Sequence, residues 1–186
     1  MITAVLINYK RPKELAQIVE HLKTIPQINE ILVRDNSVTN LYDFGRYVEA
    51  KKAKNDTLYF QDDDCIVNNI LHLISLYDGT RLVCGMKPEH RKLYKGKEQL
   101  LGWGSLLDKS WFKYLKAYTD VHPKDELFYY QADRVLTGLL PSDPLVVDAD
   151  ITEFPSAYHS MAMYRRDDFY TKKQVIQDRV SKLCLV

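Results

Sequence analysis

Three consecutive carboxylates, Asp62, Asp63 and Asp64, directly follow the strand-like segment Thr57 to Gln61. Adjacent acids repel one another, so their position at a strand end indicates a nearby cation. Along an extended strand, alternate side chains share a side, which predicts that Asp62 and Asp64 face one site and that Asp63 points elsewhere. Mg²⁺ and Mn²⁺ are commonly held by one or two carboxylates together with substrate phosphates. The pattern therefore favours a site at which a metal stabilises a leaving diphosphate.

Two other polar segments follow apolar runs earlier in the chain. Residues 8–11 end the apolar run that starts at Met1, and residues 34–36 come after Glu30 to Val33. Ligands of open parallel sheets bind beyond the carboxyl ends of the strands, so three polar strand ends would gather at one edge. The candidate binding residues at the first two ends are Asn8, Tyr9, Arg11, Asp35 and Asn36.

The elements that position these ends alternate between strand and helix. Apolar residues recur at helical spacing after Pro12, from Leu41 and from Ile70, and Arg81 to Gly85 is predicted to be a fourth strand after the third of these helices. This alternation predicts an α/β fold, with a mixed, mainly parallel sheet covered by helices on both faces, in a single domain.

The second half of the chain is less regular. Lys87 to Lys97 lacks apolar periodicity and is predicted to be an exposed loop, whereas Gly102 to Leu107 and Leu145 to Val147 are predicted strands. Helices are expected at Trp111 to Tyr118, where Ser110 would be the cap, at Asp125 to Leu140, and at Thr171 to Leu183.

The composition excludes several classes of protein. The chain has 186 residues, enough for one domain with a sizeable core, and its formal net charge of +1 argues against a nucleic-acid binder. An odd count of three cysteines predicts a reducing compartment and no disulfide framework. No run of about 20 apolar residues is present, so no membrane span is expected. The run Ile2 to Ile7 is too short for the apolar core of a secretory signal, and the predicted location is cytoplasmic.

Three segments of the first half resemble GT-A glycosyltransferases. Val5 to Pro12 (VLINYKRP) is similar to their opening strand and turn, and Ile31 to Ser37 (ILVRDNS) is similar to their second strand and its polar end. Leu58 to Asp64 (LYFQDDD) resembles an Asp-Asp-Asp version of their DxD motif. The exostosin-like group is the most similar. The resemblance is specific over residues 1 to about 70 and becomes faint after about residue 85. It implies a GT-A (Rossmann-like) fold and a metal-dependent transferase that uses a UDP-sugar.

The resemblance assigns the nucleotide contacts to the first two strand ends. The turn after the first strand, with Asn8, Tyr9 and Arg11, would line the base. Asp35 or Asn36 would contact the base or the ribose. The chain differs from lumenal members of the family because it lacks their membrane anchor and their paired cysteines.

The resemblance gives the three adjacent acids separate roles. Asp62 would lie near the ribose and the donor sugar, and Asp63 would belong to the same donor-binding set. Asp64 would ligate Mn²⁺ or Mg²⁺. Lys10 departs from the family pattern, which has a small polar residue in this turn.

Four residues of the second half complete the predicted site. Asp133 lies in an apolar helical run, where GT-A enzymes place a carboxylate that either takes the acceptor's proton or positions the acceptor; a surface ion pair with Arg134 is the alternative. His159 would be a second metal ligand by the same resemblance, or else an ordinary histidine. Arg165 and Arg166 would clamp the diphosphate, because guanidinium groups match phosphate oxygens, or would be solvated charges.

The sequence thus predicts a glycosyltransferase that moves a sugar from a nucleoside-diphosphate sugar to a saccharide acceptor. Residues 1–85 would form a nucleotide-binding half and residues 86–186 an acceptor-binding half, of a chain that is compatible with a longer protein. Two alternatives stay open: a Mg²⁺-dependent phosphotransferase or nucleotidyltransferase, and a non-catalytic nucleotide-sugar-binding module. The donor sugar, the retaining or inverting outcome and the oligomeric state are not specified by these patterns.

Overall fold

Strands and helices alternate along the chain, as predicted. The computed structural model describes residues 1–91, 96–158 and 167–184, without the side chains of residues 157 and 158. The strands in these ranges are β1 (Ile2–Asn8), β2 (Ile28–Asp35), β3 (Thr57–Gln61), β4 (Cys65–Val67), β5 (Val83–Met86), β6 (Trp103–Asp108), β7 (Leu145–Asp148) and β8 (Ile151–Glu153). The α-helices are α1 (Pro12–Lys23), α2 (Phe44–Ala50), α3 (Ile70–Leu76), α4 (Phe112–Val121), α5 (Glu126–Tyr130), α6 (Ala132–Leu139) and α7 (Phe169–Leu183).

Six strands form one mixed sheet in the order β2-β1-β3-β6-β5-β7. β1 is parallel to both β2 and β3, and β5 is parallel to β7, whereas β6 runs antiparallel to β3 and β5. The prediction of a mixed, mainly parallel sheet is therefore confirmed. β4 and β8 pair with each other in a separate antiparallel ribbon, which the sequence did not predict.

Helices cover both faces of the sheet, and side chains of β1 show the alternation. Val5 packs into one apolar cluster, whereas Ala4 and Leu6 pack into the other. The first cluster includes residues from α2, α4, α5, α6 and α7, and the second includes residues from α1 and α3. Every residue of β1 is buried, as expected for a strand with helices on both sides.

The predicted helix from Asp125 to Leu140 is two helices. The break lies at Gln131, whose φ of −137° and ψ of 26° are not helical, and Asp125 caps α5 by accepting a hydrogen bond from the Phe128 amide. Ser110 is not a cap of α4, which has no side-chain cap hydrogen bond; it lies in a 3₁₀ helix, Lys109–Trp111, that Asp108 caps by accepting a hydrogen bond from the Ser110 amide. Among the described residues, no helix combines the length and apolarity that crossing a membrane requires.

Candidate functional site

The ends of β2, β1 and β3 meet at one edge of the sheet and are joined by hydrogen bonds. Asn8 Nδ2 donates to Asp35 Oδ1 over 3.4 Å, which links the ends of β1 and β2. The Tyr9 amide donates to Asp63 Oδ2 over 2.5 Å, which links β1 to the turn after β3. The predicted convergence of three polar strand ends is therefore confirmed.

The three adjacent acids lie in a tight turn between β3 and β4. The turn is held from inside, because Gln61 Nε2 donates to the Cys65 carbonyl over 2.7 Å and the Tyr59 hydroxyl donates to Gln61 Oε1 over 2.6 Å. The chain is not extended at Asp63 and Asp64, so the strict alternation expected from a strand does not apply. Each acid instead has its own surroundings.

Asp63 belongs to the framework of the site. It is 5% exposed, and besides the Tyr9 amide it accepts a hydrogen bond from Arg11 Nη1 over 2.6 Å. Arg11 Nη2 donates in turn to the Ser156 carbonyl over 3.0 Å, and the Arg11 amide donates to Asn8 Oδ1 over 3.2 Å. Asn8, Arg11 and Asp63 thus fix the shape of the first turn through buried contacts.

Asp62 is partly exposed and forms an ion pair with the buried Arg46. The Asp62 side chain is 40% exposed, whereas Arg46 is 3% exposed, and their Oδ1 and Nη2 atoms lie 2.5 Å apart. The Asp62 amide donates to the Gly102 carbonyl over 2.8 Å, and a Cβ atom at position 102 would overlap the Asp62 carboxylate. Arg46 and Gly102 therefore fix where Asp62 can lie.

The sequence interpretation missed Arg46. Its signal was present, because Asp43, Arg46, Tyr47 and Ala50 follow the i, i+3, i+4, i+7 spacing of a buried helical face. All four are buried on α2 or at its start. Two charged residues on such a face are rare without partners, and this pairing could have marked α2 as part of the site.

Asp133 lies inside the molecule, beneath the exposed acids. It is 4% exposed, its Oδ1 accepts a hydrogen bond from the Tyr47 hydroxyl over 2.7 Å, and its Oδ2 lies 3.6 Å from Arg46 Nη1. Oδ2 also accepts a hydrogen bond from the Leu101 amide over 3.4 Å. Both oxygens are thus contacted by the protein, and Arg134 pairs with Glu98 rather than with Asp133.

A second buried acid, Asp43, caps α6. Its two oxygens accept hydrogen bonds from the Ala132 and Asp133 amides over 3.1 and 3.0 Å. Burial raises the pKa of Asp43 well above its ordinary value, and the charge of Asp133 raises it further. Burial likewise raises the pKa of Asp133, although the Arg46 guanidinium opposes this. Arg46 therefore forms ion pairs with Asp62 and Asp133, and its charge also favours the ionised form of Asp43.

Asp64 has the surroundings expected of a cation ligand. Its side chain is 25% exposed, and among the described residues its nearest cation is Arg11 Nη1 at 3.9 Å and its carboxylate accepts no hydrogen bond. Burial, then the charge of Asp62, raises the pKa of Asp64 to about 7. Two neighbouring, partly exposed carboxylates with too little positive charge fit a hard cation such as Mn²⁺ or Mg²⁺.

The described residues do not by themselves surround a metal ion. They contain no group of three or more His, Cys, Asp or Glu side chains placed to hold one. A metal at Asp64 would therefore need further oxygen ligands, which the phosphates of a substrate would supply. His159, Arg165 and Arg166 lie outside the described residues.

The remaining predicted contacts divide between exposed and buried positions. Tyr9 is half-buried and Asp35 is exposed, with its pKa lowered by a hydrogen bond from the Ser37 amide. Asn36, in contrast, is 1% exposed and donates to the Tyr42 carbonyl over 2.9 Å. Tyr9 and Asp35 can therefore reach a ligand, whereas Asn36 joins β2 to the start of α2.

The half-buried Trp103 lies at the start of β6, next to Gly102 and Asp62. Its ring lies 4.8 Å from the ring of His90, at an interplanar angle of 33°. Gly85 on β5 allows the backbone of Trp103 to lie close to that strand, because a Cβ atom at position 85 would overlap the Trp103 carbonyl. The backbone of Trp103 thus pairs with β3 beside the acidic turn, while its ring packs against His90.

The fold is shared with several solved structures at low sequence identity. The catalytic domain of Drosophila β1,4-galactosyltransferase 7, in complex with xylobiose, is 14% identical, with 96% of this chain and 79% of that chain covered and a TM-score of 0.57. A glycosyltransferase involved in glycosylation of the major capsid of PBCV-1 is 13% identical, with 95% and 98% covered and a TM-score of 0.54. The inositol-1-phosphate CTP transferase from T. maritima is 9% identical, with 96% and 95% covered and a TM-score of 0.53.

These similarities show that the chain has a GT-A-like fold. By sequence, the chain matches no protein-family model and no curated protein. The solved structures include both glycosyltransferases and a nucleotidyltransferase, so the choice of reaction depends on the residues of the site.

Proposed function

We propose that the protein is a metal-dependent glycosyltransferase that moves a sugar from a UDP-sugar to a saccharide acceptor. The observation that carries this proposal is the meeting of three polar strand ends at which Asp62 and Asp64 stay partly exposed while Asp63 is buried. Ligands of open α/β sheets bind at this edge. The GT-A-like fold supports the same reaction class.

Asp64 would hold Mn²⁺ or Mg²⁺ together with the diphosphate of the donor. When bound, the metal supplies positive charge that stabilises the departing diphosphate. The chain itself orients the donor: Arg46 and Gly102 fix the carboxylate of Asp62, which would contact the ribose or the donor sugar. Tyr9 and Asp35 would contact the base and the ribose.

Asp133 is better suited to positioning than to proton transfer. A general base must lie within hydrogen-bonding reach of the acceptor hydroxyl, but both oxygens of Asp133 contact buried protein groups. The burial therefore disfavours the base role, and we assign Asp133 to holding Arg46. A retaining outcome, as in exostosin-like enzymes, needs no such base and is part of this proposal.

The predicted contacts at His159, Arg165 and Arg166 remain proposals from the sequence. His159 would add a protein ligand to the metal, and the two arginines would clamp the diphosphate through paired hydrogen bonds.

The nucleotidyltransferase alternative is supported by the fold, which a CTP transferase shares. The contacts of the turn that follows β1 argue against it. Sugar-activating enzymes need backbone amides that cradle a nucleoside triphosphate after the first strand. Here the Tyr9 amide donates to Asp63, the Lys10 amide donates to Ser37 Oγ over 3.1 Å, and the Arg11 amide donates to Asn8. All three amides of this turn are already occupied by side chains.

Calorimetry with UDP tests the proposal. UDP binding to the wild-type protein should require Mn²⁺ or Mg²⁺, and Asp64→Asn should weaken it at least about tenfold, because a carboxylate ligand is lost. The matched control is Asp56→Asn. Asp56 is an exposed acid directly before β3, at the end of that strand opposite to the acidic turn. Its variant should bind UDP as the wild type does.

Metal-independent UDP binding, no binding, or an equal loss in the Asp56→Asn control would contradict the proposal. Product analysis then separates the enzyme classes. Release of UDP from a UDP-sugar supports a glycosyltransferase, whereas release of pyrophosphate from a nucleoside triphosphate and a sugar phosphate supports a nucleotidyltransferase. Binding without either product supports a non-catalytic module.

A further inference from the structure

An aromatic groove of 280 Å³ lies between α2, α4 and α5, away from the acidic turn. Its apolar lining consists of Phe44, Tyr47, Phe112, Leu115 and Phe128. The rings contact one another, with centroid distances of 5.0 Å for Phe44 and Phe128 and 5.3 Å for Tyr47 and Phe112. The groove is therefore a formed aromatic surface rather than a gap between mobile loops.

Four lysines, Lys51, Lys113, Lys116 and Lys124, also line this groove, and no acidic residue does. Lys116 pairs with Asp120, whereas the other three form no ion pair within the described part of the chain. Lys124 Nζ lies 5.7 Å from the centre of the Phe44 ring. In a chain of 26 basic and 25 acidic residues, this is a local excess of positive charge around an apolar floor.

The shape and the charge restrict what could occupy the groove. Neither Phe44 nor Phe112 is strongly exposed, so the apolar floor is recessed and a flat bilayer surface would not reach it. A small free anion would gain little from exposed lysines, since such ion pairs are weak in water. Tyr170, an exposed aromatic among the described residues, is preceded by Asp167 and Asp168 and followed by Lys172 and Lys173, so this segment of a second copy offers the lysines no net acidic charge.

We propose that the groove binds an acidic peptide segment of a partner protein through one aromatic side chain. The ring would pack edge-to-face on the aromatic floor, where such pairs add to the energy of burial. The acidic residues next to that ring would contact the lysines at the rim of the groove. Such complementary charges speed the encounter of the two proteins and disfavour partners without acidic residues. This arrangement, with a buried anchor and a charged rim, is how protein interfaces concentrate binding energy. The inference does not depend on the proposed glycosyltransferase activity.

The probe is a dye-labelled synthetic peptide, Glu-Asp-Glu-Phe-Asp-Glu-Asp, and its binding to the full chain is followed by fluorescence anisotropy. A matched peptide with alanine in place of phenylalanine measures the charge contribution alone. The test variant is Lys113→Glu with Lys124→Glu, and the matched control is Lys13→Glu with Lys182→Glu, which makes the same charge change elsewhere. All four lysines are exposed, so both variants should fold, as circular dichroism would verify.

The phenylalanine peptide should bind the wild type at least about tenfold more tightly than the alanine peptide. The Lys113→Glu, Lys124→Glu variant should lose about tenfold or more, and the control variant should stay within about twofold of the wild type. Equal binding of the two peptides, an equal loss in the control variant, or no saturable binding would each overturn the proposal. So would binding of inorganic phosphate or anionic phosphatidylserine vesicles that showed the same loss in the variant while the peptide did not bind.

Discussion

At the scale of single residues, the three adjacent acids illustrate how position divides identical side chains into different roles. Asp63 is buried with hydrogen bonds from Tyr9 and Arg11, which is a structural role. Asp64 has no such partners among the described residues, and burial together with Asp62 makes its charged form unfavourable. A carboxylate whose charge is balanced only in part, here by Arg11 at 3.9 Å, is suited to bind a cation.

The raised pKa of Asp64, about 7 in the folded chain, predicts an unusual pH dependence of stability without metal. The unfolded chain releases this proton near the ordinary carboxyl pKa of about 3.9. Between these values the native state binds a proton that the unfolded state does not, so stability falls as the pH rises through about 7. From pH 6 to pH 8, the loss attributable to Asp64 is about 1 kcal/mol.

Urea unfolding in the presence of a chelator, at both pH values, measures this loss. Asp64→Asn should remove it and should be the more stable protein at pH 8, because it carries no charge at this position. A wild-type stability that rises from pH 6 to pH 8 by the same amount as that of the variant would show that Asp64 is not the titrating group.

The sequence predicted Asp62 and Asp64 because both follow an apolar strand, and strand ends of α/β sheets are ligand sites. It did not predict Arg46. The partner Asp133 is distant in the chain, and only the packing of α2 against α6 brings the two together. Local patterns carry no information about such pairings, apart from the unusual charges on the buried face of α2.

At the scale of elements, α2 connects the site to the core. Arg46 lies 2.5 Å from Asp62 in the turn after β3 and 3.6 Å from Asp133 on α6. Asp43, just before α2, caps α6. One helix of seven residues therefore sets the position of a site carboxylate and of another helix.

Replacing Arg46 should destabilise the protein strongly. Arg46→Met keeps much of the side-chain volume but leaves Asp133 and Asp43 without a cation, and removing one partner of a buried ion pair costs about 3–5 kcal/mol. Urea unfolding measures the change. Arg91→Met is the matched control, because its ion pair with Asp148 is exposed and should contribute less than about 1 kcal/mol.

A second substitution shows whether the buried charge is the cause. Asp133→Asn in the Arg46→Met background should recover part of the loss, about 1 kcal/mol or more, because coupled neighbours are not additive. Additive effects of the two substitutions, or a cost of Arg46→Met no larger than that of Arg91→Met, would contradict a coupled buried cluster.

Long apolar elements were predictable, and short paired ones were not. β1 is a seven-residue buried run, which the sequence shows directly. β4 and β8 have three residues each and exist because they pair across a separation of more than 80 residues, so they leave no periodic pattern. The break between α5 and α6 was hidden for a related reason, since the cap of α6 is supplied by Asp43, far away in the chain.

At the scale of the whole molecule, the sheet order joins the two predicted halves. β6, from the second half, lies between β3 of the first half and β5, which crosses the boundary at residue 85. β5 has no partner within the first half, because it pairs with β6 and β7. The apolar cluster around Phe60 also draws on α4, α5, α6 and α7. The division at residue 85 therefore separates sequence patterns rather than independently packed units.

A fragment of residues 1–85 should consequently fail to fold by itself. It would expose the β3 edge that β6 covers, and it would leave Tyr47 and Phe60 without the second-half side chains that bury them. We expect no cooperative urea transition, weak near-ultraviolet circular dichroism and no UDP binding with Mn²⁺, whereas the full chain measured alongside should unfold in one transition. A fragment that unfolds cooperatively would show that the first half is a domain of its own. If it also bound UDP, the contacts of Asp62 with Gly102 and of Arg46 with Asp133 would not be needed to form the nucleotide site.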